Sequence, residues 1–80
     1  MPHDLWNWSY RDVKDFLGEN GFVFYKEKDG SHEAWIDSTS THVVEINKIK
    51  NSDSYIIRTL ETMIRQSGID KKAWKKWANS

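Results

Sequence analysis

The period at which apolar residues recur changes twice along this chain, and nothing else in the sequence constrains its fold as strongly. Val13, Phe16 and Leu17 fall at i, i+3 and i+4, so they share one face of a helix. Between Phe22 and Asn47 the apolar residues are mostly aromatic or β-branched and are broken by Lys28-Asp29-Gly30 and Ser38-Thr39-Ser40, the signature of short strands joined by turns. From Ile56 the helical spacing returns, through Leu60, Met63 and Ile64. A helix, three strands and a second helix are therefore expected in that order. Each helix has a single apolar stripe to bury, so both must lie on one face of the sheet.

Local chemistry sets the boundaries. Ser9 is the expected N-cap of a helix over 10–19, with Asp12 and Asp15 near its positive end and Asn20-Gly21 as its left-handed stop. Strands are expected over 22–27, 31–37 and 41–47, with Asp29-Gly30 as a two-residue type I′ turn. Asn51-Ser52-Asp53 offers a cap for a helix over 54–67 that Gly68 closes. Asp70 caps a short terminal helix with Ala73, Trp74, Trp77 and Ala78 on one side and Lys71, Lys72, Lys75 and Lys76 on the other. The fold class is α+β, a two-layer α-β-β-β-α sandwich with a three-stranded antiparallel sheet, its helices on one face, and a C-terminal helix appended.

The two-residue turn sets a register. Lys28 opposes Ser31, Glu27 opposes His32, Tyr25 opposes Ala34 and Phe24 opposes Trp35, because residues facing each other across a hairpin share a face. With Ala34 and Ile36 matched to Val44 and His42, the core face is Val23, Tyr25, Ala34, Ile36, Val44 and Ile46. Phe22, Phe24, Trp35 and Val43 then form an exposed aromatic face with Lys26, Glu33 and Glu45. A turn one residue longer reverses this and puts Phe22 and Phe24 inside.

At 80 residues the chain has room for one domain, with 1–8 as an N-terminal extension, 9–70 as the core and 71–80 as a basic, Trp-rich tail. It has no cysteine, which rules out disulfides, thiolate metal sites and thiol nucleophiles. The chain carries no net charge, but residues 1–40 hold four basic and eight acidic side chains and residues 41–80 hold eight and four. A polyanion is thus expected on the second half. No leader-like start and no apolar run of membrane-spanning length are present, so a cytoplasmic protein without membrane contact is expected.

Three segments carry a family resemblance. Asn20-Gly21-Phe22 is similar to the helix-to-strand junction of HicA-type toxins, the small mRNA interferases of bacterial toxin–antitoxin pairs. Gly30-Ser31-His32 resembles that family's Gly-Ser-His signature, and Thr59-Leu60 with Ile64-Arg65-Gln66-Ser67-Gly68-Ile69 resembles the end of its last core helix. The resemblance spans about residues 9–70 and agrees with the element order, which is also that of double-stranded-RNA-binding domains. It implies a metal-independent endoribonuclease with mRNA as substrate, a HicB-like antitoxin as protein partner and no cofactor.

The same resemblance makes His32 the catalytic residue, supported by Gly30 and Ser31. RNA carries its own nucleophile in the 2′-hydroxyl, so cleavage needs a base for that proton and an acid for the leaving oxygen, and a histidine titrates near the required pH, at roughly 6.5. Glu27 is the local candidate to orient His32, or else a solvated strand-end carboxylate. His42 lies about four residues along the sheet, roughly 13 Å at the rise of a strand, and is a poor partner. No pair of histidines has the i, i+4 spacing of a helical metal site. Lys48, Lys50, Arg58 and Arg65 are candidate phosphate contacts, as are Lys71, Lys72, Lys75 and Lys76 of the tail. The alternative for the tail is that Trp74 and Trp77 dock it while its lysines stay solvated. The alternative for the whole chain is a non-catalytic RNA- or protein-binding module in which Phe24 and Trp35 stack bases or dock a partner.

Overall fold

The computed structural model describes residues 2–80, and its elements are those the periodicity calls for. They are α1 (Tyr10–Glu19), β1 (Val23–Asp29), β2 (His32–Ile36), β3 (Val43–Asn47), α2 (Ile57–Ser67) and α3 (Lys71–Ala78). The strands form one antiparallel sheet in the order β1-β2-β3.

The helix ends follow local rules. The Ser9 hydroxyl accepts from the Asp12 amide and the Asp12 carboxylate accepts from the Ser9 amide, a reciprocal capping box. Gly21 at φ 86° and Gly68 at φ 71° provide the left-handed exits of α1 and α2. Asp70 accepts from the Lys72 amide at 2.8 Å and caps α3.

The start of α2 differs from expectation. Asn51-Ser52-Asp53 does not cap it; the helix begins at Ile57, and Ile56 in the cap position offers no side-chain acceptor. Tyr55 is the reason. Its ring is buried, its amide donates to the Trp8 carbonyl and its hydroxyl donates to the Asn47 carbonyl, which holds this stretch outside the helix. Asn51 is used elsewhere, accepting from the Arg11 amide in the first turn of α1 at 3.1 Å.

The register also departs from expectation, in both hairpins. Phe24 does face Trp35 and Val23 faces Ile36, but Asp29 faces His32 and Glu27 faces Glu33. Two bulges in β1 absorb the difference. The turn is consequently Gly30-Ser31, and Gly30 is not among the glycines with positive φ, so it is not the type I′ turn of Asp29-Gly30. Trp35 faces Val44 and Ile36 faces Val43, a slip of one residue that turns the second hairpin over. Asp37 holds that slip in place: its amide donates to the His42 carbonyl, and its carboxylate accepts from the Thr41 and His42 amides.

As a result the core face carries Val44 and Ile46 with Trp35 and Glu33, not Val23, Tyr25 and Ile36, and Phe22 at the entrance to β1 is buried with them. Val23 and Tyr25 are exposed, and Ala34 is buried on the opposite face in the middle of the sheet. The core joins these residues to Val13, Phe16 and Leu17 of α1 and to Leu60, Met63 and Ile64 of α2. Trp8, Phe16, Trp74 and Trp77 make a second cluster, in which Phe16 and Trp74 stand 4.3 Å apart and Trp8 stacks on Trp77 at 5.2 Å. α3 is thus bolted onto the helix layer by its tryptophans, the docking alternative for the tail.

Candidate functional site

His32 opens β2 immediately after the Gly30-Ser31 turn, on the sheet face opposite the one that Glu33 turns toward α1. Asp29 closes β1 directly opposite. The Asp29 Oδ1 accepts from the Ser31 amide at 2.9 Å and from the Ser31 hydroxyl at 3.0 Å, an Asx turn, and also lies 3.0 Å from Nδ1 of His32. Ser31 Oγ is 3.1 Å from the same nitrogen. The Ser31 amide, followed by His32 and the Ser31 hydroxyl, holds the Asp29 carboxyl well below its ordinary range, at about 2. An ionised acceptor beside Nδ1 favours the tautomer with its proton there, which leaves Nε2 as the free base. The histidine side chain is 36% exposed, and among the described residues its Nε2 has no protein partner.

The ring borders a cleft of about 240 Å³ walled by Glu45 and Asn47 of β3 and by Thr59, Thr62, Met63 and Gln66 of α2. α2 lies along the outer edge of β3, where the Glu45 amide, unpaired in the sheet, donates to Oε1 of Gln66 at 2.9 Å. Thr62 belongs both to the cleft and to the exposed stripe Arg58, Thr62, Arg65, in which the Arg65 guanidinium donates to its hydroxyl at 3.4 Å. Arg65 thus touches one wall residue of the cleft, and Arg58 lies about two turns earlier on the same helix, with its carbonyl accepting from the Thr62 hydroxyl.

Comparison with family models, with curated proteins and with solved structures returned no match. The chemistry of the site is therefore read from its own geometry.

Of the residues singled out in the sequence, His32, Gly30 and Ser31 stand together at the turn, whereas Arg58 and Arg65 are exposed on α2 outside the lining of the cleft. Glu27 does not orient the histidine. The bulges place it opposite Glu33 on the other face, where its carboxylate takes Lys48 Nζ at 2.8 and 3.0 Å and raises the lysine pKa. Asp29 takes that role; an aspartate three residues before the histidine and next to a turn glycine was the available signal. The Lys48 amide donates to the Ser31 carbonyl, so the lysine is near the turn while its charge is matched by Glu27. Lys50 is exposed beyond β3. Lys71 pairs with Glu61 at 3.2 Å, and the contacts that fix α3, to Trp8, Phe16, Glu19 and Glu61, do not include the His32 cleft, so Lys72, Lys75 and Lys76 are not gathered there.

Phe24 is 49% exposed on the outer strand beside Val23 and Tyr25. Trp35 is not its open stacking partner. It is half-buried against the core, and its Nε1 donates to Glu33 at 3.0 Å, because the slipped register turns it toward α1. Glu33, only 5% exposed, also accepts from the Tyr10 hydroxyl at 2.8 Å, and burial together with that carboxylate pushes the Tyr10 phenol up to about 12. His42 is engaged at the far end of the sheet, with Nδ1 3.2 Å from Asp37 and its ring against Gly68, where a Cβ would collide with it. Among the described residues no three His, Asp or Glu side chains converge, and no helix is long and apolar enough to cross a membrane.

Proposed function

We propose that this chain is a HicA-like toxin of a type II toxin–antitoxin pair, a cytoplasmic endoribonuclease that cuts mRNA with His32 as general base and acid and is restrained by a HicB-like antitoxin. The observation that carries this reading is the Asp29–His32 pair, with Nδ1 held at 3.0 Å and Nε2 left free at the mouth of a polar cleft. Nε2 takes the proton of a ribose 2′-hydroxyl, the 2′-oxygen attacks the adjacent phosphorus, and the bond to the 5′-oxygen breaks. The imidazolium returns its proton to that oxygen, leaving a 2′,3′-cyclic phosphate and a free 5′-hydroxyl. Asp29 stabilises the imidazolium between the two transfers, and Arg58 and Arg65 supply positive charge against the phosphate.

The test is RNA decay in vitro and growth arrest on expression, native chain against His32→Ala. The ring sits on an open face, so the variant should keep the native circular dichroism spectrum while cleavage falls by about 10²- to 10⁴-fold, the usual worth of a general acid–base. Equal decay by the two chains refutes the catalytic role. A second reading, a non-catalytic binding module, is favoured by the exposed Val23, Phe24 and Tyr25 on the outer strand and by the pairing of Lys28, Lys48 and Lys71 with carboxylates. It predicts binding without decay in both chains.

A further inference from the structure

We propose that the cleft beside His32 is a nucleobase subsite that takes a pyrimidine, with Asn47 and Gln66 as the residues that read it. This rests on the RNA-cleaving reading of His32 and names which nucleotide that site prefers.

Asn47 pairs with His32 across β2 and β3, so the amide and the imidazole stand side by side on the open face. The Asn47 main-chain carbonyl is taken by Tyr55, while its side-chain amide has no hydrogen-bond partner among the described residues. An asparagine amide offers both a donor and an acceptor. Gln66 is constrained further. The Glu45 amide can only face its oxygen, so the orientation of the Gln66 amide is fixed with Oε1 at the strand edge, and its amino group has no partner among the described residues. The Thr59 hydroxyl lines the same wall, and Met63, buried in the core, supplies a soft apolar floor against which a flat ring can rest.

A ligand complementary to these groups is planar, has a carbonyl for the Gln66 amino group and a mixed donor–acceptor edge for Asn47. Uracil and cytosine carry that pattern on one small ring; adenine offers the Gln66 amino group a ring nitrogen in place of a carbonyl, and guanine sets its carbonyl on a larger bicyclic ring. With the base seated there, its ribose and 3′-phosphate lie against His32, where the 2′-hydroxyl must be.

The experiment is an NMR titration of the nitrogen-15-labelled chain with the four nucleoside 3′-monophosphates and with ribose 5-phosphate, following the side-chain amides of Asn47 and Gln66. Uridine and cytidine monophosphates should bind about tenfold tighter than ribose 5-phosphate, as one or two net hydrogen bonds allow, and should shift both amides. Gln66→Glu keeps an oxygen for the Glu45 amide while removing the donor. It should lose the pyrimidine preference, as should Asn47→Ala, with ribose phosphate binding no tighter than before. Equal binding of all four nucleotides, or a preference that survives both substitutions, overturns the proposal. Failure here is distinct from failure of the catalytic reading: pyrimidine binding without RNA decay removes His32 as general base and keeps the subsite, whereas decay without pyrimidine preference does the reverse.

Discussion

Truncating Trp74 tests whether the basic C-terminal helix belongs to the core or is an appendage for polyanions. The ring is fully buried, 4.3 Å from Phe16 and 5.3 Å from Trp8. A buried aromatic removes about 150 to 250 Å² from water, worth about 4 to 6 kcal/mol at 25 cal/mol per Å². Against this stands the indole Nε1, buried without a hydrogen-bond partner, at a cost of about 1 to 3 kcal/mol. The net loss for Trp74→Ala is then about 3 kcal/mol, near the lower end of the range for Trp→Ala in cores. A chain of 80 residues has about 4 to 12 kcal/mol in total, so the variant gives up a quarter or more of its stability. Urea unfolding followed by far-ultraviolet circular dichroism measures this directly, and the melting temperature should drop by about 12 to 24 °C. Trp74→Phe keeps most of the apolar ring and discards the unsatisfied N–H, so it should lose much less. Lys72→Ala, at an exposed position in the first turn of the helix, should stay within about 0.5 kcal/mol of native. A Trp74→Ala chain within about 1 kcal/mol of native would refute the reasoning, because a ring that packs as described cannot be removed at so small a cost.

Two further perturbations address the charges around the turn. Glu27→Gln removes the partner that matches Lys48, so a His32→Ala chain that also carries it should bind single-stranded RNA more tightly at low salt; if the freed lysine takes one phosphate, the logarithmic salt slope steepens by about 0.7. Fluorescence anisotropy over a salt series measures this, and unchanged slopes would mean that Lys48 stays out of reach of the strand. The Asp29 carboxyl is held at about 2, below its ordinary 3.8, so the folded state favours its ionised form. Its contribution to stability is complete above the unfolded value and drains away as pH falls from about 4 toward 2. Urea midpoints at pH 5 and pH 2.5 should therefore differ more in the native chain than in Asp29→Asn, and equal differences would contradict the hydrogen-bonded turn.

The kinds of element and most of their ends were legible in the sequence because they rest on contacts within a few residues. The Ser9 cap, the Asp70 cap and the left-handed glycines Gly21 and Gly68 each act inside one turn of chain. The stripe Leu60, Met63, Ile64 needs only helical geometry to face inward. His32 was legible as a turn-flanking histidine for the same reason, and so was the docking of the tail by Trp74 and Trp77 as one of two outcomes.

Register was not legible, and the site depends on it. A bulge has only a local signature, yet two of them in β1 moved Glu27 to the far face and gave His32 to Asp29, while a one-residue slip in the next hairpin turned Trp35 inward. Those choices are settled by which side chains the helices can cover. Burying Phe22, Trp35, Val44 and Ile46 beneath α1 and α2 outweighs a type I′ turn at Asp29-Gly30, and the neighbours that make the difference lie tens of residues away in sequence. The Asn47–Gln66 wall of the cleft has the same origin, since it forms only where α2 packs along the edge of β3. Sequence thus determined the parts and their chemistry; packing alone decided which of them stand beside the imidazole.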